Sequence, residues 1–346
     1  MTQYADDPMD EHLALPFAAE PHAPTSVLPT DPRAVLAHVL QHLTTTFTSD
    51  DGGPLDRVLT TVAVLVTRWI CHPFPLRMVI AGRSGVGKTR LLHAICEMTQ
   101  VPGTILPVTQ MAESSWHGLQ LGEAVRTLFP DQFIARGING RILGPSGVIT
   151  QPCCLLIDEF DKLALVAPDG QPLDGAARAW RVGRQQTLLA ALDPLSVVPT
   201  RLDDVDRAVT WSLAHSIVIC AGAFSMFGAD EVMTPAKLAQ IGIADELIDR
   251  AGVILTLPQP SAAARRQLAT VAVDDMLAFA CELDIEVRGI DSLLASLPAP
   301  GAAEAPFRGV RGMRHHVERV IADAIATAIA RSASVAYVAS HDMGHA

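Results

Sequence analysis

The segment GRSGVGKT, Gly82 to Thr89, has the spacing G-x-x-x-x-G-K-[ST]. Its glycines let successive backbone N–H groups turn inward around an anion. A helix beginning near Lys88 adds the positive end of its dipole to that cradle. Lysine is scarce in this chain: Lys88, Lys162 and Lys237 are the three present among 26 basic residues. A compact ammonium on a flexible stem fits inside such a loop, whereas a planar guanidinium does not. By chance the pattern arises in on the order of one in a thousand chains of this composition. Gly82, Arg83, Ser84, Gly85, Val86, Gly87, Lys88, Thr89 and Arg90 are therefore expected to hold ATP. Lys88 would reach the terminal phosphates, and the Thr89 hydroxyl would sit on a Mg2+ ion bridging them. The bland alternative is a glycine turn between a strand and a helix.

A second constellation, CLLIDEF, follows about seventy residues later. Its apolar run delivers Asp158 to the end of a strand, where a carboxylate can hold Mg2+, and the adjacent Glu159 can polarise a water for attack on the terminal phosphate. Standing alone, such a pair would more often be two solvated carboxylates. Together with the loop, Glu159, Asp158 and Lys88 form the expected catalytic set.

Other residue types point to less. Six cysteines lie on apolar stretches without a C-x-x-C pair, so buried thiols are expected and no zinc site or disulfide framework. His315 and His316 have no second ligand pair nearby and read as ordinary helix residues. A net charge of −11 argues against a broad nucleic-acid-binding face and makes nucleic acid the less favoured partner. No apolar run is long enough for a membrane span, and the N-terminus lacks a basic segment followed by an apolar one. A cytoplasmic protein without a membrane partner is expected.

These residues need elements to position them. Residues 1–32 are rich in Pro, Asp and Ala without periodicity and read as a flexible leader. Helical spacing runs through AVLAHVLQHL and LDRVLTTVAVLVTRWI. The strand RMVIAG then precedes the glycine loop, and Leu91, Leu92, Ile95 and Met98 share one face of the helix after it. CCLLIDEF and HSIVICAGAF read as buried parallel strands, so the expected fold class is α/β, a parallel sheet binding ligands at the carboxyl ends of its strands. From about Pro258 the pattern becomes helical, with a short strand at IEVRG. The expected organisation is a large nucleotide-binding domain over 33–257, a small helical domain over 258–332 and a tail over 333–346.

With both constellations in place, the sequence resembles the AAA+ ATPases, and among them the ClpX/HslU type of protein unfoldase, from about Gly53 to about Thr327. DEFDK is similar to that family's D-E-I-D-K signature, RQQTLLAALD to its Q-Q-A-L-L-K-L helix, and VICAGAF to its sensor-1 strand. ADELIDRAGVI is similar to its I-P-E-F-I-G-R-L-P-V segment and GVRGMRHHVE to its G-A-R-G-L-R sensor-2 motif. The resemblance implies a P-loop NTPase large domain carrying a small helical lid. It implies that Arg250 is an arginine finger reaching a neighbour's nucleotide, and that Arg311 is a sensor-2 arginine contacting the nucleotide from the lid. From spacing alone, Arg250 could equally cap its helix and Arg311 could be an exposed helix-start residue. SSWHGLQ resembles the G-Y-V-G substrate-gripping loop, which places Trp116 and His117 in a central pore; a pocket tryptophan or a subunit contact is the alternative.

A finger supplied in trans implies a homo-oligomeric ring, by resemblance a hexamer. The chain departs from the family where a peptidase-docking loop would follow the sensor-1 strand, since AGAFSMFGADEVMTPAKLAQIGI passes almost directly to the next helix. The family's cysteine-rich zinc module is not seen either. A ClpP-type peptidase is therefore not expected as partner. The reading that results is an ATP-driven remodelling machine acting on a protein client. The alternative is a nucleotide-switched assembly factor, or one associated with nucleic acid, that threads no polypeptide.

Overall fold

The computed structural model describes residues 31–47, 53–111, 128, 148–149, 151–167, 169–193, 197–202, 205–228, 231–297, 309–331 and 334–338. Two helices open the described chain, α1 (Pro32–Thr46) and α2 (Pro54–Cys71). Asp31 caps α1 by accepting the Ala34 N–H at 3.1 Å, and Pro32 occupies the first helical position, where its missing donor costs nothing. Strand β1 (Leu76–Ala81) leads into the glycine loop and then into helix α3 (Lys88–Thr99).

The central sheet adds β2 (Gly103–Pro107), β4 (Cys154–Asp158), β7 (Ile217–Gly222) and β8 (Val253–Thr256). Its order is β2-β4-β7-β1-β8, and every neighbouring pair is parallel. Every residue of β1 and β7 is buried, Arg77 of β1 among them, as befits central strands covered on both faces. The register pairs Ala81 with Gly222, and Pro107 with Asp158, so the carboxyl ends of the strands lie side by side. Between β4 and β7 lies helix α4 (Gly175–Leu192), followed by an antiparallel pair, β5 (Val197–Leu202) and β6 (Val205–Ser212). The short strand β3 (Val148–Ile149) joins that pair alongside β6.

Strand alternation sorts side chains into two cores. Val79, Leu155, Ile157 and Val218 face α4 and two short helices, α5 (Pro235–Gln240) and α6 (Asp245–Arg250). Met78, Ile80, Leu156 and Ile219 face α1, α2 and α3. A third core shares no residue with these. It is built by α7 (Ala262–Glu282), α8 (Ile290–Ser296), α9 (Gly309–Ala330) and a two-stranded parallel sheet of β9 (Glu286–Arg288) and β10 (Val335–Tyr337). Of the tail expected over 333–346, the described residues 335–338 join this domain: Val335 pairs with Glu286, and Ala336 and Val338 are buried in its core. The thiols also need correction. Cys153, Cys154 and Cys220 are buried, but Cys71 and Cys96 are half-buried and Cys281 is exposed.

Candidate functional site

At the carboxyl ends of β1, β4 and β7 lies a cavity of about 540 Å³. Ser84, Gly85, Gly87, Lys88, Thr89 and Arg90 line one side, Asp158, Glu159, Asp161 and Lys162 the opposite side, and Ala223 and Ser225 the floor between them. Arg314, from α9, completes the wall. Four cationic side chains and three carboxylates thus line one cavity in a protein that is acidic as a whole. The local charge suits a polyanion that brings a cation of its own.

The loop owes its shape to its sequence. Gly87 has φ +102°, and a Cβ there would lie 2.9 Å from the ring of Phe47, the buried residue that ends α1. Only glycine meets both conditions without strain. Lys88 donates to the carbonyls of Gly82 at 2.6 Å and Arg83 at 3.1 Å, so its ammonium lies within the turn. Arg83 points elsewhere: it donates to the carbonyls of Ser225 and Phe227, tying the loop to the segment after β7. Val86 is buried in the core under the loop. These two side chains therefore shape the loop, while Ser84, Gly85, Lys88, Thr89 and Arg90 face the cavity.

Opposite, Asp158 ends β4 and its carboxylate accepts the Glu159 N–H at 2.8 Å. Glu159 adopts φ +58°, a left-handed conformation that costs a non-glycine residue about 1–3 kcal/mol and is tolerated where surrounding contacts enforce it. Its side chain accepts a hydrogen bond at 2.7 Å from the Thr109 hydroxyl, which sits on the short 3-10 turn after β2. That turn is held in place by Arg184 of α4, which donates to the Val108 carbonyl and lies over the Trp180 ring. Asp161 is buried and accepts the Ala223 N–H, joining the β4 and β7 ends.

Thr109, Asp161 and Arg314 were not singled out from the sequence. Arg314 donates to Glu318, one turn on, and to Asp275 of α7 at 3.1 Å. Arg311 stands three residues earlier, in the first turn of α9. Arg314 lines the cavity. Arg250 ends α6, away from the cavity lining, and its guanidinium contacts Asp193 and the Leu189 carbonyl at the end of α4. That contact matches in part the helix-capping alternative, although the helix capped is a neighbouring one. Trp116 and His117 lie outside the described residues.

A magnesium ion is judged by its donor set. Thr89 and Asp158 present hard oxygen ligands on facing walls, the kind and small number that Mg2+ takes when nucleotide phosphates and water supply the rest. Among the described residues no cluster of three or more His, Cys, Asp or Glu suggests a different metal.

The five-stranded parallel sheet, the glycine loop between β1 and α3 and the carboxylates ending β4 define an α/β P-loop NTPase fold. Residues 78–226, from β1 to just beyond β7, match the family model described as ATPase family associated with various cellular activities (AAA). This match supports an AAA+ ATPase; such domains are ATPases in general, bind ATP and normally use Mg2+. No curated protein matches the chain. Among the described residues no helix is long and apolar enough to cross a membrane.

Proposed function

We propose that this protein hydrolyses ATP to ADP and phosphate and uses the energy, as a homo-oligomeric ring, to remodel a protein client without a ClpP-type peptidase. The observation that carries the reading is the convergence of Lys88, Thr89, Asp158 and Glu159 on one cavity. Lys88 and the backbone of the loop hold the phosphates and offset charge as the terminal phosphoryl group departs. Thr89 and Asp158 would hold Mg2+, which would supply neutralisation of phosphate charge. Glu159 orients a water and takes its proton as the oxygen attacks. Arg250, partly exposed at the end of α6, serves the site of a neighbouring subunit. Trp116 and His117 grip the client.

ATP turnover per chain measured against protein concentration, beside particle size of Glu159→Gln with ATP, tests the proposal. A steep rise in turnover and an ATP-stabilised ring are expected. Constant turnover per chain from a persistent monomer would remove the ring and the role of Arg250.

A further inference from the structure

Arg250 is held by a mount that the sequence does not announce. Its Nη1 lies 3.3 Å from the Asp193 carboxylate and donates to the Leu189 carbonyl at 3.2 Å. Leu189 also accepts the Asp193 N–H at 3.0 Å, so the carboxylate and the carbonyl are fixed to each other at the end of α4. Behind them, buried Arg77 of β1 donates to the carbonyls of Leu192, Leu213 and Ser216 and interacts electrostatically with Asp193. The chain leaving Arg250 is fixed too. Gly252 has φ +71°, and a Cβ there would lie 2.5 Å from the Arg77 carbonyl oxygen, so the turn after α6 rests directly on β1.

The outcome is an arginine anchored through one nitrogen. Its Nε and Nη2 make no bond to any described residue, and its side chain is 39% exposed. An exposed ion pair alone would contribute little. Here one cationic neighbour of the carboxylate, Arg77, is buried, and the carboxylate's position is set by helix and strand.

We infer that Asp193 is a positioning residue for Arg250: it fixes one guanidinium nitrogen so that the other two face outward toward a phosphate bound by an adjacent copy of the chain. The inference rests on the trans role of Arg250 proposed above. Asp193 touches no nucleotide and acts through Arg250.

The test uses the full chain with Arg250→Ala, Asp193→Ala and the near-isosteric Asp193→Asn, each checked for folding and particle size. Arg250→Ala is expected to lower kcat by about 10³-fold. The Asp193 variants are expected to lower it by about 10- to 100-fold with KM changed less than about twofold, the signature of a misplaced catalytic group. Asp193→Glu should restore part of the loss. Mixed with Glu159→Gln, which has an intact mount but a disabled site, Asp193→Asn should turn over faster than the sum of the two alone. If Arg250→Ala is impaired while Asp193→Asn and Asp193→Ala match wild type, or the mixture gains nothing, the mount is overturned and the finger stands. If Arg250→Ala itself matches wild type, the finger reading fails and the inference with it.

Discussion

The Thr109 hydroxyl donates to the Glu159 carboxylate at 2.7 Å, joining the turn after β2 to the residue after β4. One carboxylate oxygen is therefore engaged by the protein, and that bond competes with a water for it and lowers its basicity. Hydrogen bonds to charged groups are worth about 1.5–3 kcal/mol, and each 1.4 kcal/mol is about tenfold in rate. Thr109→Ala is expected to raise basal ATP turnover by about tenfold or more with little change in KM. Steady-state phosphate release measures it; a fall in kcat would show instead that Thr109 holds Glu159 in its working position.

Gly87→Ala places a side chain against Phe47 on a left-handed backbone. The backbone term alone costs about 1–3 kcal/mol. Denaturant unfolding should show at least that loss, together with weaker nucleotide binding. Unchanged stability would mean that the loop can relax away from α1.

Arg314 offers a separable effect. Its partners Asp275 and Glu318 lie on α7 and α9, and both its side chain and that of Asp275 are more than half exposed. The pairs should contribute little to stability. A charge-assisted bond to phosphate in the cavity is worth more, so Arg314→Ala is expected to weaken nucleotide affinity about tenfold and shift Tm hardly at all. Titration with a fluorescent ATP analogue reads this directly; unchanged affinity would place Arg314 outside the nucleotide's reach.

The thiols should separate by reactivity. Burial pushes Cys153 and Cys220 up to about 12, which leaves about 10³-fold less thiolate at pH 8 than an ordinary exposed cysteine has. Cys281 is exposed. Alkylation of native protein followed by peptide mass mapping should mark Cys281 first and Cys153 and Cys220 only after unfolding. Early labelling of Cys153 would mean that the sheet opens locally.

Much of the site could be read from the chain because its parts are local. β1, the glycine loop and α3 are consecutive, and their chemistry depends on backbone spacing within about a dozen residues. CLLID carries its own strand signal and ends on its functional carboxylate. β2 left no such signal, since Gly103 and Pro107 are poor strand formers and it takes its pairing from β4. The partners of Thr109, Arg314 and Arg250 lie 50, 39 and 61 residues away along the chain. No local pattern records such pairings. The place of Arg314 in the cavity wall is of this kind, because only the packing of α9 sets it there.

The central claim is that the carboxylate of Glu159 serves hydrolysis at a nucleotide held by Lys88. The direct measurement is phosphate release from ATP by the full chain and by Glu159→Gln, with nucleotide binding followed in parallel and Mg2+ present or chelated. Wild type should turn over only with Mg2+, while Glu159→Gln keeps its nucleotide affinity and loses at least about 100-fold in kcat. Hydrolysis by Glu159→Gln within a factor of about two of wild type would contradict the account.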